Sequence, residues 1–121
     1  MIRATFFEYE NGELRGFLVE GHAGYAPAGE DIICAGVSAL VQTAAAGLKH
    51  FLSREPLIEE RTKDLNNVFV KLVLPLDLTE TEKSTAQVIL ETMELGMQGI
   101  AGGYGKYLEV RRCCNDEAFK V

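Results

Sequence analysis

The chain is short of positive charge: 12 lysines and arginines stand against 18 aspartates and glutamates, a formal net charge of −6. Phosphate backbones are bound by basic surfaces, so direct nucleic acid binding is excluded as the main role. An acidic surface suits a basic protein partner instead. Cysteine is scarce and odd in number, three in all, with Cys113 and Cys114 adjacent. That spacing builds no disulfide framework and favours a reducing compartment. Neighbours on a strand point to opposite faces, so the pair is a poor source of two zinc ligands, and no metal or other cofactor is expected. The start, Met1-Ile2-Arg3-Ala4-Thr5, lacks the apolar core of a signal peptide, and no apolar run approaches membrane-spanning length. The expectation is a cytoplasmic protein without membrane contact. Gly21, Gly24 and Gly29 match neither a dinucleotide fingerprint nor a phosphate loop. With no linker or low-complexity run, residues 1–121 read as one domain, long enough to bury a core without staples.

What is present alternates between two periods. Residues 2–9 and 14–21 are β-rich and flank Glu10-Asn11-Gly12-Glu13, where Asn-Gly predicts a type I′ hairpin turn. Apolar residues on both faces of these strands imply that part of each face is covered. From Asp31 the spacing turns helical, with Ile33, Val37, Leu40, Val41, Ala44, Leu48 and Phe51 in one stripe ending before Pro56. Asp31 is the predicted N-cap. Residues 57–62 and 67–74 form a second hairpin about Lys63-Asp64-Leu65-Asn66. A second helix begins near residue 80 with Thr79 and Glu82 as a capping box, carries Ala86, Ile89, Leu90, Met93, Met97 and Ile100, and stops at Gly102-Gly103. Residues 106–113 make a last strand. The predicted fold class is α+β: a single domain in ββαββαβ order, a mostly antiparallel sheet with two amphipathic helices packed on one face.

The chemistry is concentrated between Gly21 and Ser38. His22 leaves the second strand, and Cys34 falls in the first turn of a helix predicted to start at Asp31. A cysteine reacts as thiolate, which a helix N-terminus and a neighbouring imidazolium both favour. The unpaired N–H groups expected at 32–35 could also hold the oxyanion of an attacked carbonyl. Asp31 has two roles open, helix cap or partner of His22, and Ser38 either supports the site or bonds back to the helix. Against this stands a bland alternative: Cys34 as a small buried hydrophobe and His22 as a turn residue. A redox-sensing thiol is a third class, and it needs Cys113 or Cys114 as resolving partner. His50 complements the helix dipole.

The segment Gly21-His22-Ala23, then Gly29, then Asp31-Ile32-Ile33-Cys34-Ala35-Gly36-Val37-Ser38-Ala39-Leu40, resembles the bacterial ribosomal-processing cysteine proteases. The linked pattern, Gly-His, a short loop, then Asp-x-x-Cys-Ala-x-x-Ser, is more specific than either half. The resemblance implies a cytosolic endopeptidase that removes a short N-terminal extension from large-subunit ribosomal protein twenty-seven. It implies His22 and Cys34 as catalytic dyad, a glycine-rich loop over the site, and a homodimer. Gly21, Ala23, Gly24, Tyr25, Gly29, Asp31 and Ser38 would support the dyad or touch the peptide. Loop 23–30, hinged at Gly24 and Gly29, would close over the substrate. The non-catalytic alternative is a ribosome-associated binding module.

Overall fold

A computed structural model of the chain describes residues 1–21, 28–61 and 68–114, with the side chains of 28–31 left aside. The element order is β1 (Ile2–Glu8), β2 (Leu14–Glu20), α1 (Ala28–Phe51), β3 (Leu57–Arg61), β4 (Phe69–Val73), α2 (Glu80–Gly103) and β5 (Leu108–Cys113). The strands form one sheet in the order β3-β4-β2-β1-β5. Neighbours pair antiparallel except β5, which runs parallel to β1. The predicted class and element order hold.

The first hairpin closes differently from expectation. Gly12 donates to Tyr9 O at 3.0 Å and Tyr9 donates to Glu13 O at 2.8 Å. Only Gly12, at φ +88°, takes positive φ there, whereas a type I′ turn needs it at Asn11 too. Asn11 Oδ1 instead accepts from the Glu13 N–H at 2.9 Å, a local bond that holds Asn11 in the ordinary region. The register then shifts between Phe7 and Glu8. At that irregularity Gln87 of α2 acts as a substitute strand: its amide accepts from the Leu14 N–H and donates to the Leu14 carbonyl, both at 2.7 Å.

Strand alternation sends Ile2, Ala4, Phe6, Phe17, Val19, Leu72 and Leu108 into one core with Ile33, Val37, Val41, Ala44 and Leu48 of α1 and Ala86, Leu90, Met93 and Met97 of α2. Phe51 of the predicted α1 stripe is exposed, and Leu52 just past the helix end is buried in its place. The helices run antiparallel and close: a Cβ at Gly36 would meet Ile100, at Gly47 Ile89, and at Gly96 Leu40. Phe7, Leu18 and Phe69 form a separate small cluster on the other face, with Val73 and Cys113 against it. By length and composition Ile32–Phe51, 20 residues of mean hydropathy 1.5, is apolar enough to cross a membrane, contrary to expectation. Its alanines raise hydropathy without bulk, and its bulky stripe is packed in the core.

The helix ends follow local sequence signals to different degrees. Thr79 caps α2 as predicted: its hydroxyl accepts from the Glu82 N–H at 3.1 Å and Glu82 accepts from the Thr79 N–H at 3.0 Å. α2 ends at Gly103, at the predicted glycine pair, and Tyr104 closes it by donating to Ile100 O. α1 begins at Ala28, not after Asp31. Pro27 directly precedes Ala28 in sequence, a residue type favoured at helix starts, so the signal was there but weaker in form than an Asp cap.

Candidate active site

Cys34 lies nearly two turns into α1, half-buried against the core. The earlier helix start removes the predicted cap: Asp31 is inside the helix by its backbone, and so is Gly29, which therefore cannot hinge a loop running to residue 30. The amides of 32–35 are then past the first four residues, where each N–H bonds the carbonyl four residues back. Unpaired donors belong to residues 28–31, about one turn before Cys34. The expectation of an oxyanion site at 32–35 is overturned. His22, Ala23, Gly24 and Tyr25 lie outside the described residues.

Gly21 ends β2 beside this helix start, and its N–H bonds Val68 O at 2.9 Å. Its φ is +94°, and a Cβ there would collide with the Met1 carbonyl oxygen, so glycine is required twice over. The consequence is a fixed exit direction for the chain that leads to His22.

A groove of about 540 Å³ opens between one flank of α1 and the β3–β4 half of the sheet. Along α1 it is lined by Cys34, Ser38, Val41, Ala45 and Lys49, a stripe about 22 Å long at 1.5 Å per residue. The sheet side supplies Val19, Val70, Ile58 and Glu60, and Gly21 with Ile2 closes the end. An extended peptide rises about 3.3 Å per residue, so the stripe matches some six or seven residues. Ser38 faces the same groove as Cys34 and is exposed. The groove residues beyond Ser38 were not singled out from sequence. Their signal was a second stripe at helical spacing, one position round from the core stripe. A larger hollow near the first hairpin, about 750 Å³ with Tyr9, Glu13 and Asp77, contains no cysteine or histidine.

The remaining predicted residues are placed apart. Cys113 pairs in register with Phe7, at the hairpin end of the sheet and on the face away from the helices. Ile2, which lines the groove, is five residues or about 17 Å along β1. A disulfide needs Cα atoms within about 7 Å, so Cys113 cannot resolve an oxidised Cys34, and Cys114, exposed past the strand, is no nearer. The redox-switch alternative fails on this distance. Only Cys113 of the pair is a strand residue, which corrects the expectation for Cys114. His50 is exposed in the last turn of α1, its ring edge-on to Phe51 with centroids 4.7 Å apart.

A second polar set was not anticipated. Arg112 binds Glu94 of α2 through two bonds of 2.7 Å and reaches Glu8 of β1 at 3.2 Å. Glu94 is the one buried acid among the described residues, and its carboxylate pushes the Arg112 guanidinium further from deprotonation. Arg112 faces the helices because Phe6, its register partner, does. It is a brace between elements, remote from Cys34.

The chain is similar to known proteins over most of its length. The family model described as cysteine protease Prp matches residues 1–109. A ribosomal processing cysteine protease Prp from Bacillus subtilis is 28% identical over 110 residues, covering 91% of this chain and 96% of the relative. The crystal structure of Prp from Staphylococcus aureus with a covalently linked product peptide superposes with TM-score 0.74 at 26% identity, covering 93% of this chain and 100% of that one. A Streptococcus mutans crystal structure shares the fold, with TM-score 0.79 at 24% identity over 95% and 99% of the two chains. A family match over nine-tenths of the sequence, with a half-buried cysteine at the head of a peptide-length groove, means that the chain belongs to the cysteine protease Prp family and is a cysteine protease.

Proposed function

We propose that the chain is a cytoplasmic, homodimeric endopeptidase that removes a short N-terminal extension from large-subunit ribosomal protein twenty-seven. The observation that carries this is the position of Cys34, on the wall of an apolar groove long enough for six or seven peptide residues. The names of the relatives support a ribosomal substrate, and the peptide covalently linked to the Staphylococcus aureus protein supports a peptide ligand.

Cys34 is the nucleophile and His22 the base. His22 takes the thiol proton, and Cys34 Sγ attacks the scissile carbonyl to give a tetrahedral intermediate. Collapse breaks the C–N bond, leaves a thioester on Cys34, and passes the proton from His22 to the departing amine. A water molecule, deprotonated by His22, then attacks the thioester and releases the acid product and the thiol. Ser38, one turn on, contacts the peptide beside Cys34. Gly21 aims the chain at His22, while Ala23, Gly24 and Tyr25 belong to the loop over the peptide.

The test is cleavage of the extended ribosomal protein of the same organism, read by mass spectrometry. Cys34→Ala is expected to abolish cleavage while retaining peptide binding. His22→Ala is expected to lower kcat by roughly 10²–10⁴. Cleavage surviving Cys34→Ala would remove the nucleophile and with it the mechanism. An uncut extended substrate, with other peptides cut at Cys34, would move the activity to another protein.

A further inference from the structure

One charged residue breaks an otherwise apolar row on the groove floor. Register places Glu60 opposite Val70, Val70 opposite Val19, Val19 opposite Ala4, and Ala4 opposite Val110. All five share the helix-facing side, and Glu60 alone is polar. It lines the groove, is exposed, and has no ion-pair partner among the described residues. The other charged residue of the lining is Lys49, at the end of α1 remote from Cys34.

We propose, on the reading of this groove as the peptide site, that Glu60 selects substrates with a basic side chain about three or four residues from the scissile bond. The spacing follows from the sheet. Glu60 is two strands from Val19, at about 4.8 Å each, and one strand row of about 7 Å from Gly21 at the Cys34 end. That path of about 12 Å corresponds to three or four extended residues. A carboxylate at the side of an apolar groove, with no ion-pair partner among the described residues, gains from an ammonium or guanidinium that a peptide brings. Lys49 repels a basic side chain at the far end, so the two charges read position as well as charge. The competing explanation is that an inward-pointing charge blocks pairing along the open edge of β3. That role concerns association of copies and predicts no preference among peptides.

The experiment uses one apolar peptide in three versions, with Lys, Gln or Glu scanned over the third and fourth positions on either side of the cut. The ratio of kcat/KM values for Lys and Gln peptides is the readout, so a general loss of activity in a variant cancels. A ratio of about ten is expected for the unaltered protein at one position. Glu60→Gln is expected to bring it near one, and Glu60→Lys to favour the Glu peptide. Equal rates on all three peptides, or an unchanged ratio in Glu60→Gln, would overturn the proposal. If no version is cut, the protease reading of these peptides fails separately. Fluorescence anisotropy of the same peptides on Cys34→Ala then decides: Lys preference abolished by adding Glu60→Gln supports selection by Glu60, and equal affinities refute it.

Discussion

Glu82 performs two tasks with one carboxylate. It completes the cap of α2 and accepts the Ser53 N–H at 2.5 Å, just past the end of α1. These bonds, the one from Ser53 first, lower its pKa from 4.5 to about 2. A carboxyl depressed in the folded state adds stability above its unfolded pKa and loses it as pH falls through the folded value. Thermal melts are therefore expected to show a decline between about pH 4.5 and 2 that Glu82→Gln flattens. An identical pH profile for the two proteins would refute the assignment. The motif Thr79-x-x-Glu82 was legible because capping is local, needing only four consecutive residues. Asn11-Gly12 was legible as a turn but not as a turn type, because the Asn11 side chain bonds that chose it compete with the pattern. The bond to Ser53, made across 29 positions, had no local trace.

At the scale of elements, the helices could be found from their stripes, and their crossing could not. Leu40 sits over Gly96 so closely that an ideal Cβ would come within 2.9 Å of its Cδ2. Alanine gains helix propensity of about 1 kcal/mol over glycine, which offsets a shift of the flexible leucine end. Gly96→Ala is expected to change stability little. A branched side chain has no such relief, and Gly96→Ile is expected to cost about 2 kcal/mol in urea unfolding. Equal midpoints for the two variants would show that the helices are free to separate. The same crossing sets the width of the groove, since α1 is held from one side and leaves its Cys34–Lys49 flank open. α1 starts three residues before its strongest cap signal, because Asp31 is a good N-cap type while Ala28-Gly29-Glu30 carries no such signal. The earlier start moves the unpaired donors back by about a turn and shifts Cys34 from the first turn to nearly two turns into the helix.

For the molecule as a whole, β5 is the piece no local pattern could place. Its apolar residues marked a strand, but a parallel partner is reached only through the full chain. Arg112 makes the attachment specific by joining β5 to Glu94 on α2 and Glu8 on β1. Glu94→Ala is expected to lower stability by about 2 kcal/mol, since Arg112 remains partly in water when its partner is removed. Glu94→Gln, which keeps the shape and one acceptor, is expected to lose less. Chemical denaturation of both distinguishes this from a surface pair, for which neither change would exceed a few tenths of a kcal/mol.

Of the five described strands β1 leaves the ribosome first and β5 last, yet they are hydrogen-bonded neighbours. Until the final strand emerges, the flank of β1 carries unpaired amides and carbonyls, while the hairpins and the helix pair can already form. Native assembly is thus deferred until β5 has emerged, and a chain stalled before that point would present an open β edge to its surroundings.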